Sequence, residues 1–258
     1  MKRLLLSLAM VLALAAPSFA AEDIVVGVTP FPHKDIMLAA KPLLAKEGYN
    51  LVIKEFTDYV QPNMALASKQ LFANFFQHEP YLDNMNKEKK LDLVSIGKVH
   101  IEPLGVYSKK IKKLADLKKG NSISVPNDPT NEARALRLLE ANGVITIKPG
   151  ALVTVADITK NPLGLKFHEL DAAQLPRTLD DVTASVINTN FAGEAGLVPA
   201  RDALVMEGSE SPYANIVVVR SEDKDSPKAK ALMKAVQSPE VKEYIQKNLV
   251  ERGIVPVF

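Results

Sequence analysis

Short apolar, β-branched runs alternate along this chain with stretches whose apolar residues recur at helical spacing. Residues 24–28 read as a strand, 35–46 as a helix, 51–53 as a strand and 61–69 as a helix. Apolar runs continue at 91–96 and 103–107, and a second series of the same kind opens at 123–126. Its helix follows Asn127-Asp128-Pro129-Thr130, where Asp128 suits the N-cap and Pro129 the first turn, and Asn142-Gly143 closes it. Runs at 144–147, 165–168 and 183–187 are expected to complete a second sheet. A strand at 214–220 and two helices, 227–237 and 239–249, follow. This alternation predicts an α/β fold with mostly parallel sheets flanked by helices.

Two such sheets exceed one core, since domains typically run about 100–150 residues. Two lobes are therefore expected, the first from 21–111 plus 213–258 and the second from 112–212, with crossings near Lys112 and Pro212. The last two helices then pack back on the first lobe. Residues 1–20 stand apart. Lys2 and Arg3 precede an apolar run that ends at Pro17-Ser18-Phe19-Ala20, the layout of a secretory signal cleaved after Ala20. The run is too short to span a bilayer, which takes about 20 apolar residues.

Export changes how the composition is read. The chain has no cysteine, so stability rests on an apolar core without disulfides, and no thiol is present to carry a lipid. A soluble periplasmic protein is expected. Losing Lys2 and Arg3 takes the formal net charge of +2 to zero, and a neutral chain without a basic block gives no footprint for nucleic acid.

Candidate chemistry is sparse in its familiar forms. The sequence holds no dinucleotide or phosphate-cradling glycine motif, no nucleophile elbow and no paired-histidine zinc motif, which removes most support for an enzyme or a cofactor. His33, His78, His100 and His168 lie far apart in sequence, a weak basis for a metal site. Polar and aromatic residues gather instead where strands should end. They lie at Phe56-Thr57-Asp58-Tyr59, at 74–81, at 127–134, at Ile187-Asn188-Thr189-Asn190 and at Pro212-Tyr213-Ala214-Asn215. In open α/β sheets that edge binds ligands. Aromatics interleaved with single polar groups suit an apolar pocket with a few orienting contacts.

Arg134 falls in the second turn of its helix, where the positive end of the dipole disfavours a cation. An anion should compensate. Glu132 or Asp128 would make a surface ion pair, whereas a ligand carboxylate would match the guanidinium fork.

Together these segments resemble the methionine-binding proteins of bacterial ABC uptake systems, a lipoprotein family, over essentially all of residues 21–258. The phrases that carry the resemblance are 56–63, 76–83, Asn127-Asp128-Pro129-Thr130-Asn131 with Arg134, Ala173-Gln174-Leu175-Pro176-Arg177, Val186-Ile187-Asn188 and Pro212-Tyr213-Ala214-Asn215. It implies a two-lobed, type II periplasmic-binding-protein fold, monomeric and without cofactor or metal. Such a protein closes its cleft on methionine and delivers it to an ABC permease with a cytoplasmic ATPase. By position it makes Tyr59, Phe76, His78 and Tyr81 the side-chain pocket, Arg134 the carboxylate ligand, and Asn188 and Asn215 the amino-group ligands. The missing cysteine departs from the family and leaves open a chain free in the periplasm, or a ligand shifted to another amino acid, a methionine derivative or a small peptide.

Overall fold

The computed structural model describes residues 21–208 and 211–258; the signal segment expected at 1–20 lies outside them. In chain order the strands are β1 (Glu22–Val28), β2 (Tyr49–Glu55), β3 (Ala73–His78), β4 (Leu93–Ile101), β5 (Gly105–Tyr107), β6 (Ser122–Pro126), β7 (Thr146–Ile147), β8 (Ile158–Lys160), β9 (Lys166–Leu170), β10 (Ala184–Ile187), β11 (Ala203–Met206), β12 (Ala214–Arg220) and β13 (Val255–Pro256). The helices are α1 (His33–Lys46), α2 (Gln61–Ala67), α3 (Glu79–Lys89), α4 (Pro129–Ala141), α5 (Thr189–Glu194), α6 (Pro199–Asp202), α7 (Pro227–Val236) and α8 (Pro239–Asn248).

Two sheets form the two lobes of a binding-protein fold. One has six strands in the order β13-β4-β12-β3-β1-β2, the other five in the order β11-β5-β10-β6-β9. In the first, β1, β2, β3 and β4 share a direction, and β12 runs against its neighbours β3 and β4. In the second, β6, β9, β10 and β11 share a direction and β5 opposes them. The reversed strands β5 and β12 are the first that the chain lays down after each crossing between sheets. Most strands in each sheet therefore run the same way, yet the edge-to-edge pairing is mixed.

Helices cover the sheets because each turns one apolar face inward. On α1, Ile36, Met37, Ala40 and Leu44 are buried, a spacing that sets them on one stripe. They share a core with Val26, Val28, Phe75, Val217 and Val219 of the first sheet and with Leu232, Val236, Val241 and Ile245 of α7 and α8. Ser226 and Ser238 cap α7 and α8, each followed by proline. In the second lobe Leu136 and Leu139 of α4 pack on Val106, Ile123, Val125 and Val186.

Two expectations change, and one helix is added. The run at 103–107 reads as a strand of the first series, but β5 pairs with β10 and β11 in the second sheet. The chain thus crosses at residues 102–104, ahead of Lys112, because Pro103 has no N–H to extend the β4 ladder. The run at 144–147 does not join the second sheet; β7 pairs only with β8 in a two-stranded hairpin. The polar segment after His78 forms α3, with Pro80 in its first turn and His78 as its cap. Among the described residues no helix is long and apolar enough to cross a membrane.

Candidate ligand-binding site

The edge where strands end collects the site from both lobes. Phe76, Gln77 and His78 finish β3, and Asn215 begins the antiparallel β12 beside His78 and His100 in register. Asn131 and Arg134 lie at the start of α4, Asn188 and Thr189 at the start of α5, and Glu102 in the first crossing. Together with Tyr59 and Tyr81 these residues line one small cavity. All seven candidates, Tyr59, Phe76, His78, Tyr81, Arg134, Asn188 and Asn215, meet on its wall. Gln77, Glu102, Asn131 and Thr189 are additions that sequence reasoning did not single out.

One wall is aromatic. Tyr59, Phe76 and Tyr81 hold ring centroids 5.9–6.0 Å apart, and Tyr59 also packs on Phe191 of the second lobe at 5.0 Å. Hydroxyls tie the rings down: Tyr81 donates to the Tyr59 carbonyl (2.9 Å) and Tyr59 donates across the cleft to Asn190 Oδ1 (2.6 Å). Beneath this wall Asn63 and Gln77 exchange amide hydrogen bonds of 2.8 and 2.7 Å, and Asn74 joins them. Asn63 and Asn74 are thus supports behind the cavity and not part of its lining.

The opposite wall is polar, and its hydrogen bonds fix which atom each amide shows to the cavity. Asp128 accepts from Asn131 N (2.9 Å) as the cap of α4, and its carboxylate also accepts from Asn131 Nδ2 (3.0 Å). A carboxylate only accepts, so Asn131 turns its oxygen away from it. That oxygen accepts from Asn188 Nδ2 (3.0 Å) and from His78 Nε2 (3.1 Å). Asn188 Oδ1 is left buried without a partner among the described residues. An acceptor so placed awaits a donor.

His78 is neutral by the same logic. Its Nδ1 accepts from Tyr81 N (3.2 Å), so the proton sits on Nε2. Burial, reinforced by the nearby Arg134 cation, lowers its pKa to about 3. His33 and His100 are likewise lowered by burial, to about 4 and about 3, and burial raises Glu102. Glu102 Oε1 lies 2.7 Å from His100 Nε2 and 3.3 Å from His33 Nε2, while Oε2 accepts from Asn190 N at 3.1 Å. Three histidines distant in sequence therefore gather in the first lobe, whereas His168 lies exposed on β9. The facing atoms of His33, His100 and Glu102 fall within 4.8 Å of one another, close enough to share a cation. As they stand they bond to each other, with His33 Nε2 also 3.0 Å from Asn215 Oδ1.

Arg134 does not pair with either acid expected for it, because Asp128 caps the helix and Glu132 accepts from Val155 N (2.8 Å). Its Nε and Nη2 donate to Glu207 at 2.7 and 2.5 Å, and Nη2 donates to the Glu102 carbonyl at 2.7 Å. Among the described residues no hydrogen bond engages Nη1.

Comparison with known proteins places this geometry in context. A family profile described as NlpA lipoprotein matches residues 24–258. The chain is 48% identical over 235 residues to Outer membrane lipoprotein 3 of Mannheimia haemolytica, covering 89% of each chain. It is 47% identical over 210 residues to the D-methionine-binding lipoprotein MetQ of Salmonella typhi, covering 79% of this chain and 78% of that one. A nutrient binding protein from Burkholderia cenocepacia, solved bound to methionine, superposes with a TM-score of 0.88 at 51% identity, covering 91% of this chain and all of the other.

Proposed function

Because the chain belongs to the NlpA lipoprotein family, we propose that it is the substrate-binding component of an ABC importer, capturing methionine outside the cytoplasmic membrane and delivering it unchanged to a permease. The observation that carries the reading is the division of the cavity: an aromatic wall faces a wall with one unpartnered buried acceptor, Asn188 Oδ1, beside the open edge of Arg134. A free α-amino acid with an apolar side chain complements both. The carboxylate goes to Arg134 Nη1, the ammonium to Asn188 Oδ1 and Asn215, and the thioether among Tyr59, Phe76, His78 and Tyr81. Sulfur–aromatic contacts of about 0.3–1.5 kcal/mol favour methionine over an aliphatic side chain.

The two crossings, at residues 102–104 and 207–213, serve as the hinge about which the lobes close. The protein acts as a monomer in the periplasm after the signal segment is removed, without a lipid on cysteine, since the sequence has none. Native mass spectrometry and thermal denaturation test the reading together. Methionine should be retained or added at one per chain and should raise the melting temperature, because a ligand bound only by the folded state stabilises it. A shift produced by Zn²⁺ and not by methionine would instead favour the His33–His100–Glu102 cluster as the site.

A further inference from the structure

The anion that answers Arg134 is also a junction of the two crossings. Glu207 Oε2, which accepts from Arg134 Nη2, accepts as well from Leu104 N at 3.0 Å, and Glu207 N donates to the Leu104 carbonyl at 2.9 Å. Leu104 belongs to the first crossing and Glu207 to the second. The other bond of Nη2 goes to the carbonyl of Glu102, again in the first crossing, and the Tyr213 ring at the end of the second lies 4.3 Å from Cζ. Although Arg134 springs from α4, its guanidinium is gripped by the segments that join the lobes.

This grip matters because an arginine side chain carries about 2 kcal/mol of rotamer entropy, and its fork recognises a carboxylate only when aimed. A guanidinium 3% exposed also needs an anion when no ligand is present. Glu207 satisfies that need through Nε and Nη2 and leaves Nη1 for the cavity. We propose that Glu207 is a positioning residue for ligand recognition, one that never touches the ligand: it aims Arg134 at the ligand carboxylate and fastens that aim to both crossings. The proposal rests on the cavity being an amino-acid site.

Calorimetry with methionine and with methioninol, which lacks the carboxylate, tests it on wild type, Glu207→Gln, Arg134→Ala and the double variant. Glu207→Gln keeps the shape but has one acceptor oxygen in place of two, so it cannot accept from Nε at one position and from Nη2 and Leu104 N at the other. It should weaken methionine by about tenfold to a hundredfold, the scale of a misplacement near 1 Å, and methioninol by less than about threefold. On the Arg134→Ala background the same change should add nothing for methionine, as expected of residues acting through one group. Equal penalties for both ligands, or penalties that add in the double variant, would overturn the positioning role. Should Glu207→Gln fail to fold, Glu207→Asp decides: its carboxylate is one methylene too short to span both partners, so a methionine-selective loss supports the role and unchanged affinity refutes it. Wild type that binds no methionine at all would instead overturn the reading of the cavity.

Discussion

The two lobes contribute opposite kinds of chemistry to one cavity. The first supplies mainly rings and a neutral imidazole, set on a loop, a strand end and a helix start: Tyr59, Phe76, His78 and Tyr81, with the amides of Gln77 and Asn215 beside them. The second supplies amides and a cation, Asn131, Arg134 and Asn188, within the first two turns of α4 or at the cap of α5. The difference teaches how such a site can separate grip from selectivity. Side-chain bonds hold these groups in fixed orientations, Asp128 and Asn131 for the Asn188 amide and Glu207 with the Glu102 carbonyl for Arg134, so the second lobe can specify the invariant part of an amino acid. Aromatic side chains carry large apolar area with little polar demand, so the first lobe can sort side chains. Only when the lobes meet, as in the Tyr59 to Asn190 bond, are both requirements imposed on one molecule.

Breaking the polar wall should have the largest effect. Arg134→Ala is expected to cost about 2–5 kcal/mol of methionine binding, the range for truncating one member of a buried charge pair, which is more than tenfold and up to over a thousandfold in Kd. Arg134→Lys should recover part of this, because the charge returns without the fork. Calorimetry measures both, and a lysine variant no better than alanine would argue that geometry outweighs charge here.

The aromatic wall should be worth less. Phe76→Ala removes apolar contact from a side chain whose full burial contributes about 1.5–3 kcal/mol, so affinity for methionine should fall about tenfold or more. Selectivity against alanine as ligand should collapse at the same time. Phe76 is 4% exposed, so a melting curve of the free variant separates lost binding from lost stability. A variant that folds and still prefers methionine over alanine would break the division of labour.

Acid should distinguish the lobes without any mutation, because His33, His78 and His100 all sit on the first. Burial holds them at about 3 to 4 against 6.5 for a free imidazole, so the unfolded chain takes up protons that the folded chain refuses. Stability is fully present above about pH 6.5 and falls as pH drops toward 4, at up to about 1.4 kcal/mol per pH unit for each histidine. Glu102 acts in the opposite sense: burial raises its pKa, so its contribution is fully present below the ordinary carboxylate value and is lost as pH rises through the raised one. It therefore offsets part of the slope. Burial likewise raises Glu132 and Glu194, each to about 7, which adds to that offset, so the test is a difference: between pH 7 and pH 4.5 the melting temperature of His100→Gln should lose less, or gain more, than that of wild type.

The smallest effect should come from the bond that joins the walls. Tyr59→Phe removes the hydroxyl donated to Asn190 Oδ1, and a hydrogen bond of this kind contributes about 0.5–1.5 kcal/mol. A few-fold loss of affinity in calorimetry, with the ring packing intact, is the expected outcome. A loss as large as that of Arg134→Ala would mean that closure, and not contact, dominates binding.

The family resemblance singled out the seven cavity residues, and local signals placed elements that carry or adjoin them: strand periodicity located β1, β6, β10 and β12, and Asp128-Pro129 announced α4. Each of these depends on neighbours a few positions away, through backbone propensity, capping or alternation, and so survives in the sequence. Pairing does not. Gly105-Val106-Tyr107 is a strand by composition, but whether it joins β4's sheet or β10's is decided by edges more than 75 residues apart in the chain. Glu207 illustrates the same limit for chemistry: Arg134's need for an anion was legible from its place in a helix, while the supplier, 73 residues on, could be found only once both crossings were brought together. The polarity of Asn188 was likewise set by Asn131, 57 positions earlier. An amide carries a donor and an acceptor at nearly the same place, and only the tertiary hydrogen-bond network decides which one faces the cavity.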